Sequence, residues 1–238
     1  MQGFELRAGA RKLMRGNTPK VYLVSILFIV ITTVMSELQF RLPGISAANM
    51  RFLEAVSRGE FPTAGLLYSY FRPGGAALAG LLYLLYPVLE TGYKSYCLNT
   101  ARGQGGDYKD ILDGFFFFGK TLLIFIITTI FTALWFMLFF FPAIAARYRY
   151  RQAYYILLDA PEKSALQCIS ESKRMMKGHK MELFLLDLSF LGWYLLDLAV
   201  ILLIPLPVAL PVISIWLTPY MGLTHAAYYG RLESSLAV

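Results

Sequence analysis

The sequence predicts an all-α integral membrane protein, with about six transmembrane helices and two interfacial amphipathic helices packed as one domain, residues 1–238. Hydrophobic residues make up 57% of the chain and charged residues only 16%, whereas an average soluble domain has about 25% charged residues. Several apolar stretches reach the about 20 residues that a helix needs to cross the hydrocarbon core. Alternating strands typical of a membrane β-barrel are absent, and lipid favours helices because they satisfy their own backbone groups.

Six segments are predicted to span the membrane. They are residues 19–40, 75–98, 115–141, 143–158, 181–204 and 206–229. The fourth segment is short and contains three arginines, so its crossing is the least certain from length alone. If it did not cross, the basic residues that follow it would lie on the outer side, against the positive-inside rule. We therefore expect it to cross or to re-enter against neighbouring helices.

The net charge of +7 is explained by topology rather than by nucleic-acid binding. Basic residues cluster before the first span and between the fourth and fifth spans, which six crossings place on one side. The positive-inside rule then puts both termini in the cytoplasm. A cleaved signal peptide is the alternative for the N-terminus, but the apolar run is long and no small-residue cleavage site follows it.

Two amphipathic helices, residues 4–16 and 161–177, are predicted to lie in the cytoplasmic interface with their cations near anionic headgroups. Their basic residues are Arg7, Arg11, Lys12 and Arg15 in the first, and Lys173, Arg174 and Lys177 in the second. The two helices also form an internal repeat, because residues 10–17 resemble residues 172–179 and each copy leads into a span. Membrane lipids, including anionic ones, are the expected partners.

Ionisable side chains within a span are costly and are therefore candidates for a site. Arg147 and Arg151 share one helix face, and their predicted depth matches that of Asp197. One interpretation is a cationic pocket for an anionic headgroup or substrate, gated by Asp197. The other is an ion pair that lets two helices pack. Arg149 points away from the other two arginines and has no evident acidic partner, which favours an anionic guest.

A second polar group is predicted nearer the inner end of the bundle. Glu90 and Lys94 are one helical turn apart, and Asp187 lies at a similar depth on the fifth span. We expect these three residues to form a self-satisfied packing network. His225 has no second ligand at metal spacing, and Cys97 and Cys168 lack the spacing of a metal or redox site, so no metal or cofactor is predicted.

Four stretches resemble an uncharacterised bacterial membrane family known as domain of unknown function 975. They are Arg174–Lys180, Leu186–Trp193, Thr218–Tyr220 and Ala226–Tyr229, and residues 10–17 resemble that family's opening motif. The chain is also similar, more distantly, to membrane domains attached to some glycerophosphodiester phosphodiesterases. The resemblance implies a multi-pass protein of the bacterial cytoplasmic membrane and supplies no activity and no catalytic residues.

Two functions remain open from the sequence. The first is transport or binding of an anionic amphiphile or lipid, suggested by the repeat and by Arg147, Arg149 and Arg151. The second is a non-catalytic scaffold or accessory subunit that binds a protein partner or self-assembles, suggested by the two basic amphipathic helices. Enzyme motifs such as H-E-x-x-H and G-x-S-x-G do not occur, and we expect no enzymatic activity.

Overall fold

The computed structural model describes residues 2–42, 45–59, 72–203 and 213–236. All regular secondary structure within these ranges is helical, which confirms the predicted all-α fold. The chain divides into two compact units, one formed by residues 1–29 and 87–238 and the other by residues 30–86. Every candidate site residue lies in the first unit.

The helices are, in chain order, α1 (Gln2–Gly16), α2 (Lys20–Arg41), α3 (Ile45–Ser57), α4 (Pro73–Ala101), α5 (Asp113–Phe116), α6 (Phe118–Leu138), α7 (Phe140–Tyr150), α8 (Ala153–Asp159), α9 (Ala165–Met175), α10 (Lys180–Leu188), α11 (Leu191–Leu203) and α12 (Ser214–Leu236). A short 3₁₀ helix, Tyr108–Leu112, precedes α5.

Four segments are long and apolar enough to cross a membrane: α2, α4, α6 and the stretch Lys180–Val200, which contains α10 and most of α11. They correspond to the predicted first, second, third and fifth spans, and they identify the chain as a membrane protein. The predicted sixth span overlaps α12, which is not among these four, and its residues 206–212 lie outside the described part of the chain.

The predicted fourth span consists of two short helices, α7 and α8, separated at Arg151 and Gln152. Together they run back along α6. The rings of Phe131 and Tyr150 pack 6.3 Å apart, and the ammonium group at Lys120 donates to the carbonyl oxygen of Pro161, just beyond α8. Contacts between this pair of helices and α6 therefore extend along much of α6.

A helix occurs at each predicted interfacial position, and each packs part of its apolar surface on the bundle. α1 buries Ala10 and Met14 and packs on α12. The second helix begins at Ala165 and not at residue 161, because Ser164 and Gln167 form a capping box in which each side chain accepts the other's backbone N–H. The buried face of α9 packs on α6, α7 and α8.

The two copies of the repeated motif occupy similar positions in the structure. Residues 10–17 end α1 and residues 172–179 end α9, and each copy leads through a short turn into a candidate span. The aligned glycines differ, since Gly16 is the last residue of α1 whereas Gly178 has a φ of 88° in the turn before α10. The similarity therefore reflects a shared helix–turn–helix arrangement with different turns.

Candidate functional site

The centre of the first unit contains an ion pair between Arg151, at the break between α7 and α8, and Asp187 on α10. A second oxygen of the Asp187 carboxylate lies 2.8 Å from Nε2 of His225 on α12. The hydroxyl of Tyr148 also donates to this carboxylate, at 2.9 Å. Three helices and the α7–α8 break therefore meet at one carboxylate.

This ion pair lies well inside the apolar part of the bundle. Asp187 follows Lys180, the first residue of its span, by seven residues, which corresponds to about 10 Å along the helix axis. The guanidinium of Arg151 lies at the level of the Asp187 carboxylate because the two groups are in contact. Arg147 precedes Arg151 by four residues, which corresponds to about 6 Å along a helix axis.

Glu90 and Lys94 form the ion pair that their spacing on α4 suggests, with 2.9 Å between Nζ and Oε1. The ammonium group of Lys94 also lies over the ring of Tyr154, 4.2 Å from its centroid. The predicted network of these two residues with Asp187 needs correction, because the partners of Asp187 are Arg151, Tyr148 and His225. The depth of a residue along its own helix shows which residues lie at the same level of the bundle. It does not show which helix faces are in contact.

Asp197 does not gate the arginines, contrary to the sequence-based interpretation. Its carboxylate is buried and accepts hydrogen bonds from the backbone N–H of Ile213 at 3.2 Å and from the hydroxyl of Ser214 at 2.6 Å. The first N–H groups of a helix lack partners within that helix, and a negative charge there is favourable. Asp197 therefore caps the N-terminus of α12.

Arg147 and Arg149 differ from Arg151 in having no carboxylate within ion-pair distance in the part of the chain that the structure describes. The side chain of Arg147 is exposed and that of Arg149 is partly exposed. The backbone carbonyl of Arg149 accepts the hydroxyl of Ser172, so this turn of α7 is fastened to α9. The predicted set of three arginines thus divides into one paired and two unpaired cations.

Glu90 and Arg147 together mark an open edge of the polar layer. The side chain of Glu90 is 38% exposed although it is bonded to Lys94. Glu90 interacts electrostatically with both Arg147 and Arg151. The layer contains the cations Lys94, Arg147 and Arg151 and the anions Glu90 and Asp187, so it has an excess of positive charge. That excess lies at the exposed edge.

The basic residues of α1 and α9 are mostly exposed, as expected for cations near a membrane surface. Arg11, Lys12, Arg15 and Lys177 are exposed. Others make contacts within the protein: Arg7 donates to the carbonyl of Gly3, Lys173 lies over the rings of Phe131 and Tyr150, and Arg174 pairs with Glu171. These contacts hold the three side chains at the ends of the bundle.

Sequence reasoning missed an ion cluster at the end of the bundle where α4, α8 and α12 meet. Arg102 donates to both oxygens of Asp159, at 2.6 and 2.8 Å, and to Glu233 at 2.7 Å. The hydroxyl of Tyr229 donates to the same Asp159. Hydrogen bonds from Arg102 to Asp159, and then to Glu233, hold the pKa of its guanidinium above the ordinary value. In the sequence, the only indication of this cluster is that its charged residues lie near the ends of predicted helices.

Within the described ranges, no group of three His, Cys, Asp or Glu side chains is arranged to hold a metal ion.

Comparison with known proteins gives one match. Residues 137–235 match the model of a family described as Protein of unknown function (DUF975), which confirms the resemblance over that segment, less than half of the 238 residues. The segment includes Arg147, Arg151 and Asp187 but not Glu90. No curated protein and no solved structure matches the chain. The more distant similarity to glycerophosphodiester phosphodiesterase membrane domains is not supported.

Proposed function

We propose that this multi-pass membrane protein, related in its C-terminal part to a family without an assigned activity, binds the anionic headgroup of an amphiphile within the membrane at Arg147. The observation that carries the proposal is that Arg147 is exposed and, among the described residues, has no carboxylate within ion-pair distance, although it lies in the predicted fourth span. An arginine at the centre of a membrane helix costs about 3 kcal/mol on insertion scales. An anionic ligand would offset that cost.

The paired arginine supports this assignment by contrast. Arg151 has a carboxylate partner from another helix and hydrogen-bonding neighbours around it, as a structural ion pair requires. Arg147 lies one turn away and, among the residues that the structure describes, has no carboxylate within ion-pair distance. The two interpretations drawn from the sequence therefore apply to different residues: Arg151 is structural, and Arg147 is the proposed ligand contact.

The depth of Arg147 bears on what the protein does with its ligand. A lipid at rest keeps its headgroup at the interface, outside a hydrocarbon core roughly 30 Å thick. A headgroup held at Arg147, within the predicted fourth span, would lie inside that core. Such a site fits a protein that binds or moves an amphiphile better than one that is simply surrounded by lipid. It also fits a role without catalysis.

We further propose that the protein lies in the bacterial cytoplasmic membrane with both termini in the cytoplasm. Exposed basic residues on α1 and at the end of α9 support this orientation, because cytoplasmic flanks of spans carry an excess of lysine and arginine. The cations of α1 would then face the anionic headgroups of the inner leaflet.

The test is native mass spectrometry of the purified protein in a neutral maltoside detergent, titrated with phosphatidylglycerol or with phosphatidylcholine. We expect preferential retention of phosphatidylglycerol, weakened about tenfold in Arg147→Gln, since a hydrogen bond to a charged group contributes about 1.5 kcal/mol or more. Arg15→Gln, which removes an exposed cation of α1, is the matched control and should weaken retention much less than Arg147→Gln does.

Two results would contradict the proposal. Equal retention in Arg147→Gln and the wild type would show that Arg147 takes no part in binding. Equal losses in Arg147→Gln and Arg15→Gln would show only a general attraction between anionic lipid and positive charge. A protein subunit or a second copy released by Arg147→Gln would instead support the alternative function, a scaffold whose partner supplies the missing acid.

A further inference from the structure

A groove of about 280 Å³ opens between the first turns of α1, the start of α10 and the C-terminal half of α12. Leu6, Leu185 and Leu186 give it an apolar wall, and Glu182 and Arg231 give it a charged one. Binding pockets for small molecules have volumes of about 300 Å³ or more, and they combine apolar walls with a few polar groups. The groove therefore has the composition of a site for an amphiphile.

The absence of a side chain at Gly3 keeps this groove open. Further along α1, Ala10 and Met14 are buried, and the helix packs on α12. A Cβ at Gly3 would lie 3.8 Å from Cδ1 of Leu186, which is an ordinary van der Waals contact. A longer side chain at this position would therefore extend beside Leu186 and fill part of the groove.

The charged groups at the groove leave an excess of one positive charge. Glu182 is paired with Arg231, and 2.9 Å separates Oε2 of the first from Nη2 of the second. Arg7 is held beside the groove because its Nε donates to the carbonyl oxygen of Gly3 at 3.2 Å. Among the described residues, no carboxylate lies within ion-pair distance of Arg7. Its charge is therefore the one that a ligand in the groove would meet.

Polar and apolar groups follow one another along α10 in the order that a lipid requires. Glu182 follows Lys180, the first residue of a candidate span, by two residues, whereas Leu185 and Leu186 follow it by five and six. The charged wall is thus nearer the end of the span than the leucine wall is. A lipid in a leaflet has the same order, with its headgroup outside the hydrocarbon core and its chains within it.

We propose that this groove binds one anionic phospholipid of the leaflet in which α1 lies, with an acyl chain against the leucines and the phosphate at Arg7. A guanidinium presents several donors in one plane and fits phosphate oxygens well. A groove of this volume accommodates part of an acyl chain but not a helix of a partner protein, whose diameter is about 10 Å. The site shares no residue with the one proposed at Arg147.

The experiment uses phosphatidylglycerol that carries a diazirine in the upper half of one acyl chain. The protein is placed in phosphatidylcholine nanodiscs with an increasing mole fraction of this lipid, irradiated and digested with trypsin. Cleavage after Arg7 releases residues 1–7, which include Gly3 and Leu6 of the groove. We expect labelling of this peptide to saturate as the mole fraction rises, because a single site becomes filled. Random contact with surrounding lipid would increase in proportion to the mole fraction.

Gly3→Leu should abolish the saturable labelling, because the added side chain occupies the groove. Gly9→Leu is the matched control, since it adds the same side chain to the same helix at a position where a Cβ meets no atom within 4 Å. Its labelling should saturate as that of the wild type does. Saturation in the wild type, and its reversal by unlabelled phosphatidylglycerol, test the site even if Gly3→Leu fails to fold.

Arg7→Gln tests the contact with the phosphate, and its corresponding tryptic peptide extends to Arg11. We expect half-saturation at about tenfold higher mole fraction, since a hydrogen bond to a charged group contributes about 1.5 kcal/mol or more. An unchanged half-saturation point would overturn the assignment of the phosphate to Arg7.

The labelled peptide separates this site from the one at Arg147. Saturable labelling of residues 1–7 should persist in Arg147→Gln, whether or not that variant loses phosphatidylglycerol elsewhere. Labelling that never saturates in the wild type would overturn the groove as a lipid site. Equal effects of Gly3→Leu and Gly9→Leu would also overturn it, because the change would then not depend on filling the groove.

Discussion

The guanidinium of Arg151 and the carboxylate of Asp187 form an ion pair that fastens the break between α7 and α8 to α10. A helix break within a span exposes backbone groups and usually requires support from neighbouring helices. Asp187 also accepts a hydrogen bond from Tyr148 of α7 and contacts His225 of α12, so the same carboxylate joins α7, α10 and α12. The ion pair therefore fixes the position of the segment that also carries Arg147.

Removing one partner of this ion pair should destabilise the fold strongly. Asp187→Asn leaves the charge of Arg151 without compensation, and we expect a loss of about 2 kcal/mol or more, since breaking a buried pair leaves an unpaired charge. The midpoint of thermal unfolding in detergent measures it. Glu37→Gln breaks an exposed pair with Arg41 and should change stability by less than about 1 kcal/mol.

The double variant Arg151→Met/Asp187→Leu provides a second check. Replacing both charges by apolar side chains of similar size removes the desolvation cost together with the attraction, and such replacements are often neutral or stabilising. We expect its unfolding midpoint to lie closer to the wild type than to Asp187→Asn. A double variant as unstable as the single one would indicate that His225 or Tyr148, and not the ion pair, supports the contact.

The sequence predicted the helical class and most of the spans because long apolar runs have few alternatives in lipid. It grouped Asp197 with the arginines and Asp187 with Glu90 and Lys94. Both groupings differ from the contacts in the structure because they relied on depth along separate helices. The backbone N–H of Ile213 and the hydroxyl of Ser214, at the start of α12, donate to the two oxygens of Asp197. Neither the periodicity nor the spacing of the sequence indicates that contact.

Asp197 should matter for stability and not for anion binding. Asp197→Ala removes the acceptors for Ile213 and Ser214 at the start of α12, and loss of a helix cap costs about 1–2 kcal/mol. Asp197→Asn keeps one carbonyl acceptor and should cost less. Thermal unfolding ranks the variants, and retention of phosphatidylglycerol by folded Asp197→Asn should equal that of the wild type. Reduced retention would restore Asp197 to the ligand site.

Two glycines set the distance between α4 and the short helices that precede α6. A Cβ at Gly92 would overlap the carbonyl oxygen of Ile111, and a Cβ at Gly114 would overlap that of Val88. Gly92→Ala must therefore push the two segments apart, and we expect a loss of about 1–3 kcal/mol, as for other overpacked sites. The midpoint of thermal unfolding measures this loss.

The matched control for Gly92 is Gly80→Ala, in the same helix. A Cβ at Gly80 meets no atom within 4 Å, and replacing glycine by alanine in a helix interior usually stabilises it by about 0.5–1 kcal/mol. Gly80→Ala should therefore leave the unfolding midpoint unchanged or raise it. A similar decrease in both variants would mean that α4 is sensitive to any added methyl group rather than to the contact with Ile111.

Cys168 on α9 should react slowly with thiol reagents in the folded protein. The residue is fully buried, and burial raises the pKa of its thiol above the ordinary value. The thiolate is the reactive form, so a raised pKa and poor access both slow alkylation at about pH 8. In a Cys97→Ala background, intact-mass measurements should show little maleimide addition until the protein is unfolded.

Ser170→Cys in a Cys97→Ala/Cys168→Ala background places an exposed thiol on the same helix and should react at once. Equal rates for the two thiols would show that α9 does not stay packed on α6, α7 and α8.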